Sequence, residues 1–169
     1  MNHTGKLKIP SYLLSLAGEY RVCSELIKRG VFATVTYGNH KGVDVYAISE
    51  RQERALRIEV KTSQIGHFVT GITQKEFRRD DPAAPDFWVL FQIKAREDES
   101  FCERFFVLSH MEIFDVQKTV NRRYAKEYRA RRGTDPDFAK GVDKVPLSTV
   151  ETFEDQWSKI IERFRHGRA

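Results

Sequence analysis

Leu56-Arg57-Ile58-Glu59-Val60-Lys61-Thr62 alternates apolar and charged side chains at every second position. That period marks a half-buried β-strand, with Leu56, Ile58 and Val60 on one face and Arg57, Glu59 and Lys61 on the other. The whole strand reads as Ala55 to Thr62. Two more strand-like runs precede it, Val31 to Tyr37 and Val43 to Ser49, separated by the turn Gly38-Asn39-His40-Lys41-Gly42. If the strands carrying Asp44 and Glu59 are neighbours, Asp44 joins Glu59 and Lys61. Two carboxylates and an ammonium then converge on a small volume. Such a set suits a divalent cation and a developing phosphate charge.

Outward from this point the other elements follow. Ser11 to Arg29 reads as a helix that Gly30 is placed to end. A short helix is expected from Thr73 until the Asp80-Asp81-Pro82 breaker. Phe87 to Ile93 is apolar on both faces, as in a strand covered on both sides. Lys94 to Ser100 turns the chain into a strand from Phe101 to Leu108. A helix rich in basic residues spans Met111 to Arg132, broken by Gly133 and Pro136. Irregular chain from Gly133 to Pro146 leads to an amphipathic helix from Thr149 to Arg165. This order predicts an α/β fold: a mixed β-sheet flanked by helices.

Length and composition set the bounds. A chain of 169 residues, with twelve Phe, six Tyr and two Trp, is large enough for one cored domain. Residues 11–94 would form its core, and residues 95–169 a C-terminal strand and helical extension. A formal net charge of +5 leans toward an anionic partner without identifying one. The two cysteines, Cys23 and Cys102, lack CxxC spacing, which argues against a thiolate zinc site and for a reducing, cytoplasmic setting. No apolar run approaches the roughly 20 residues of a membrane span, and no apolar signal region opens the chain.

Each candidate site residue has a plainer rival. Asp44 could simply close the Gly38–Gly42 turn. An isolated Glu-x-Lys is most often the solvated side of an edge strand. The case strengthens because Asp44 precedes that pair by a strand-turn-strand length. Magnesium takes hard oxygen ligands, usually one or two carboxylates plus water and substrate phosphate. Asp44, Glu59 and the Val60 backbone carbonyl offer such a partial shell, with Lys61 beside it. On the first helix, Leu13, Leu16, Ala17, Tyr20, Cys23 and Ile27 form one apolar sector, expected to face the core. Glu19 falls at its edge and could lean over the sheet, whereas Glu25 points toward water. A boundary Glu paired with a surface Lys is the alternative for Glu19. Gly18 costs the helix on the order of 1 kcal/mol relative to Ala, which a close approach of sheet or substrate would justify.

Gly18-Glu19 on a first helix, Gly42-Val43-Asp44 opening a second strand, and Ile58-Glu59-Val60-Lys61 on a third resemble the PD-(D/E)xK nuclease superfamily. The likeness is nearest to its Holliday-junction-resolvase-like and Mrr-like restriction branches, and it covers residues 11 to 94. Val43 stands where the name-giving proline would be. The resemblance implies the restriction-endonuclease-like core, αβββαβ, and Mg2+-dependent hydrolysis of DNA, with Mn2+ able to substitute. It implies Asp44 and Glu59 as metal ligands, Lys61 as catalytic lysine and Glu19 as accessory acid. Gln64 would be a further polar contact to substrate. These nucleases often act as dimers, so a homodimer is an implied partner, beside DNA.

Lys118, Arg122, Lys126 and Arg129 recur at helical spacing after the sheet, a stripe able to neutralise phosphates. A charge-rich helix face is equally often just solvated. Lys41 and His40, close to Asp44, could also approach a nucleic-acid backbone. His40 and His67 are expected in loops and form no ligand pair. The rival reading is a non-catalytic nucleic-acid-binding or protein-interaction module of the same fold, in a defence or repair complex. Metal binding near Asp44 separates the two.

Overall fold

The computed structural model describes residues 9–36, 42–49, 54–72, 78–137 and 142–165. The alternating run quoted above lies in β3 (Arg54–Ser63), and the doubly apolar run forms β5 (Phe87–Ala95). Seven residues of β5, Phe87 to Ile93, are buried in succession, so this strand is the middle of the molecule. It pairs parallel with β3 on one side and antiparallel with β6 (Phe101–Ser109) on the other. Beyond β3 lie β2 (Val45–Ser49) and β1 (Phe32–Val35), both antiparallel to their neighbours. The result is a five-stranded mixed sheet of order β1-β2-β3-β5-β6.

Parallel strands cannot be joined by a tight turn, so the chain between β3 and β5 must cross over the sheet. On that path it forms β4 (His67–Val69), which pairs with β7 (Lys144–Pro146) in a separate two-stranded sheet. The short helix expected from Thr73 falls on residues 73–77, outside the described residues.

Both faces of the large sheet are covered, as the apolar character of β5 requires. On one face α1 (Ser11–Lys28) and α3 (Ser158–Arg165) pack through Val22, Leu26 and Ile160 onto Ile58, Val60, Val89 and Val107. Val22 and Leu26 are fully buried, each contributing about 1.5–3 kcal/mol. Phe91 stacks on Phe105 at 4.7 Å, and Trp157 lies 5.4 Å from Phe105. On the opposite face Trp88, Leu90, Phe106 and Leu108 meet Phe68, Val145 and Ile113 of α2 (His110–Arg132). Ser109 and Glu112 form a reciprocal capping box that starts α2. Gly30, at φ 76°, ends α1 where a side chain would be strained.

Four expectations need correction. The sector of α1 assigned to the core is mostly in water: Leu13, Leu16, Tyr20 and Ile27 are exposed. The helix packs instead along Gly18, Val22 and Leu26, because Gly18 lets its axis close on the sheet. A Cβ at Gly18 would lie 1.9 Å from Thr62 Oγ1 and 3.3 Å from Phe91 Cδ1. His67 sits in β4 rather than a loop. The segment read as irregular from Gly133 to Pro146 contains β7. The last helix is shorter than Thr149–Arg165, beginning at Ser158 after two 3-10 turns, Leu147–Thr149 and Glu151–Phe153. Glu154 bridges to Phe106 at the sheet edge and Asp155 adopts φ 52°, so no helix can run through them.

Candidate active site

The site lies where β2 and β3 part. Their last register pair is Val45 with Ile58. Asp44, one residue earlier, still donates its N–H to Ile58 O at 3.0 Å. Beyond it the backbone of β2 turns away, and the Asp44 carboxylate takes over. Oδ2 accepts the Val60 N–H at 2.7 Å, replacing the carbonyl that a continuing strand would have offered. From the other side Thr36 donates its N–H to Asp44 O at 2.9 Å. Asp44 is thus clamped between β1 and β3 and only half-buried. Backbone groups alternate sides along a strand, so the Val60 carbonyl shares the opened edge with its N–H.

Glu59 and Lys61 project together from the face opposite Ile58 and Val60, as the alternation requires. Glu59 is only 7% exposed. Lys61 Nζ donates to its Oε1 at 2.5 Å, and Oε2 is buried with no hydrogen-bond partner among the described residues. Burial raises the Glu59 carboxyl above its ordinary value; Lys61 opposes that, and Asp44 adds to it. A carboxylate in this position calls for a cation.

Glu19 comes from α1, brought down onto β3 by the Gly18–Thr62 approach. Its carboxyl is pushed up from 4.5 to about 7, first by burial, then by the charges of Asp44 and Glu59, with Lys61 opposing. Three acids distant in sequence therefore feel one another across the parted strands. Among the described residues no three His, Cys, Asp or Glu side chains form a ready-made metal cluster. In this arrangement the Lys61 ammonium is the cation of Glu59.

The opening is a cavity of about 460 Å³. Glu19, Asp44, Val60, Lys61 and Gln64 all line it. Gln64 Oε1 also accepts the Ile9 N–H at 3.3 Å. Leu14, Ser15, His67 and Val69 line it as well, and sequence reasoning missed them. The two from α1 belong to a face of the helix that was expected elsewhere, and β4 is too short to carry a readable period. Thr62 Oγ1 is another buried oxygen without a partner among the described residues. Cys23 is no nucleophile: burial, with Glu19 adding to it, pushes its thiol up to about 11.

Lys118, Arg122, Lys126 and Arg129 are all exposed along α2, and none of them lines the cavity. Arg129 is paired with Asp135, and Lys118 lies 5.8 Å from the Phe114 ring centre. Lys41 and His40 fall outside the described residues.

No protein-family model matches the chain, and no curated protein matches it. Among solved structures the chain is similar to a bacterial homing endonuclease, I-Ssp6803I, at 14% identity and a TM-score of 0.48. The match covers 92% of this chain and 96% of that one. No helix among the described residues is long and apolar enough to cross a membrane.

Proposed function

We propose that the chain is a divalent-metal-dependent DNA endonuclease whose centre is Glu19, Asp44, Glu59 and Lys61. The observation that carries this reading is the orphaned, buried Glu59 Oε2, which feels the charge of Asp44, while Asp44, Lys61 and Glu19 line the adjoining cavity. A buried carboxylate oxygen without a donor is costly unless a cation is meant to meet it. The donors fit magnesium, which favours oxygen ligands and few carboxylates. Asp44, Glu59 and the Val60 carbonyl would hold it, with Glu19 at the fringe, and Mn2+ could take the same place. When bound, such an ion supplies Lewis-acid polarisation of a phosphate and a water of lowered pKa.

The rest is the work of the chain itself. Asp44 is held in place by the Val60 N–H and by the backbone bonds on either side of it. Lys61 carries positive charge at the cavity wall, where charge on an attacked phosphate would grow, and such preorganised charge is a large electrostatic contribution. Glu19, with a carboxyl near 7, can hold or release a proton close to neutral pH. Gln64, on the cavity wall, would contact substrate, and Lys41, three positions before Asp44 in sequence, is a further candidate contact. Lys118, Arg122, Lys126 and Arg129 would neutralise flanking phosphates.

The test is incubation with duplex, branched and single-stranded DNA, and with RNA, in Mg2+ or Mn2+, beside Glu59→Ala and Lys61→Ala. Metal-dependent cleavage that both variants lose supports the reading; cleavage that survives both removes it. The closed Lys61–Glu59 pair favours a second reading, a non-catalytic module in which the lysine permanently neutralises the acid. Calorimetry separates the two, because that module binds neither ion near Asp44.

A further inference from the structure

A phosphate and a hydrated ion need only part of the cavity that Glu19, Asp44 and Lys61 line. At ~30 Å³ for each water-sized unit, the two together fill on the order of 200 Å³ of its volume of about 460 Å³. The rest of the cavity has a different chemistry. Leu14 of α1, Ile65 of the turn after β3, and His67 and Val69 of β4 form a wall without a carboxylate, lysine or arginine. His67 and Val69 stand two apart on β4 and so share a face, while Phe68 between them is fully buried and anchors the strand. Ile65 and Val69 remain 56% and 51% exposed. The turn that presents this wall is fixed from below. The buried Ser63 donates its hydroxyl to His67 O at 2.6 Å and accepts the Ile65 N–H at 3.1 Å. The buried Gln92 donates from β5 to Ile65 O at 3.2 Å, and the Leu147 N–H donates to Gly66 O at 3.0 Å. Exposed apolar tips held out by buried side chains are preorganised to meet a ligand.

We propose that this wall is a nucleobase subsite, so that the site takes an unpaired nucleotide of a DNA strand beside the phosphate it attacks; the proposal rests on the nuclease reading. A base is the ligand that such a wall fits. Its flat faces pack against aliphatic side chains and stack on an imidazole. A second phosphate is a poor occupant, because the wall carries no lysine or arginine to meet it. The Ser15 hydroxyl, also on the cavity lining, can donate or accept and suits any base edge. The subsite therefore selects an unpaired base more than a particular sequence. A paired base cannot reach it. Within a duplex both faces of a base are stacked, and extruding it costs stacking and pairing energy that a bulge or a single strand has already lost.

The experiment is fluorescence anisotropy of the full chain, in chelator so that no strand is cut. The probes are a short labelled duplex carrying one unpaired thymine and the same duplex fully paired. The unpaired form should bind about 10-fold more tightly, the size of one base stacked in a pocket. His67→Ala with Val69→Ser should lose that preference and keep the affinity for the paired duplex. Met111→Ser, at an exposed apolar site on α2, should keep the preference. Equal binding of the two duplexes by the wild type, or a double variant that changes both affinities alike or neither, overturns the subsite. Where the double variant fails to fold, permanganate oxidation of the wild-type complex decides. The unpaired thymine should be shielded, and one that oxidises as in free DNA overturns the proposal. None of these readouts needs catalysis. Failure of the nuclease reading would show separately, as DNA left intact in Mg2+ or Mn2+ while the preference for the unpaired base persists.

Discussion

Replacing Glu19 by Gln should stabilise the protein at alkaline pH and change little in acid. The native carboxyl is pushed up to about 7 from an ordinary 4.5. Between those values the folded chain keeps a proton that the unfolded chain has lost, so stability falls as pH rises through the window and levels off above it. At about 1.4 kcal/mol per tenfold change in proton affinity, the full effect would be roughly 3 kcal/mol. Glu19 is only partly buried, so solvent screening reduces this to about 1–2 kcal/mol. Glu19→Gln removes the penalty, because an amide does not ionise against Asp44 and Glu59. Guanidinium unfolding of wild type and variant, in chelator, at about pH 5 and about pH 8, measures it. The variant's advantage should widen by about 1–2 kcal/mol between the two, equivalent to roughly 3–6 °C in the midpoint of a thermal melt. A gap that stays constant, or a variant less stable at the higher pH, would refute the convergence of the three acids, whatever the protein does catalytically.

Other outcomes test separate parts of the structure. Lys61→Ala should lower metal-dependent cleavage by about 100-fold or more, the size of a lost preorganised charge, in a plasmid-nicking assay. Gly18→Ala should cost about 1–3 kcal/mol in chemical denaturation, since its Cβ would lie 1.9 Å from Thr62 Oγ1. Adding Thr62→Ala should recover much of that loss; no recovery would mean the close approach is not what Gly18 permits. Arg122→Ala with Lys126→Ala should weaken DNA binding uniformly across sequences and reduce the salt slope by about 2, read by fluorescence anisotropy. An unchanged slope would mark that face of α2 as merely solvated.

Much of the secondary structure was legible because its signals are local. The alternation through Leu56–Lys61 needs only neighbouring residues to declare a strand and to sort Glu59 and Lys61 onto one side. Gly30 after α1 acts through backbone groups a few residues away. The grouping of Asp44, Glu59, Lys61 and Glu19 could be raised from order and spacing. Their partners could not. Whether Asp44 would close a turn or bond Val60 depended on β2 parting from β3 after Val45, which no short window contains.

α1 shows where sequence stops. Its most apolar sector by helical period, through Leu13, Leu16, Tyr20 and Ile27, is not the one that the fold buries. The choice fell to Gly18, whose missing side chain admits Thr62 and Phe91 from strands 44 and 73 positions away. Periodicity is written into each segment by the backbone's own geometry, so the chain alone determined its strands, its helices and the side on which each charge stands. Contact between distant segments is won in competition, by whichever surfaces approach most closely, and only the assembled fold decided which face of α1 is buried and which acids meet.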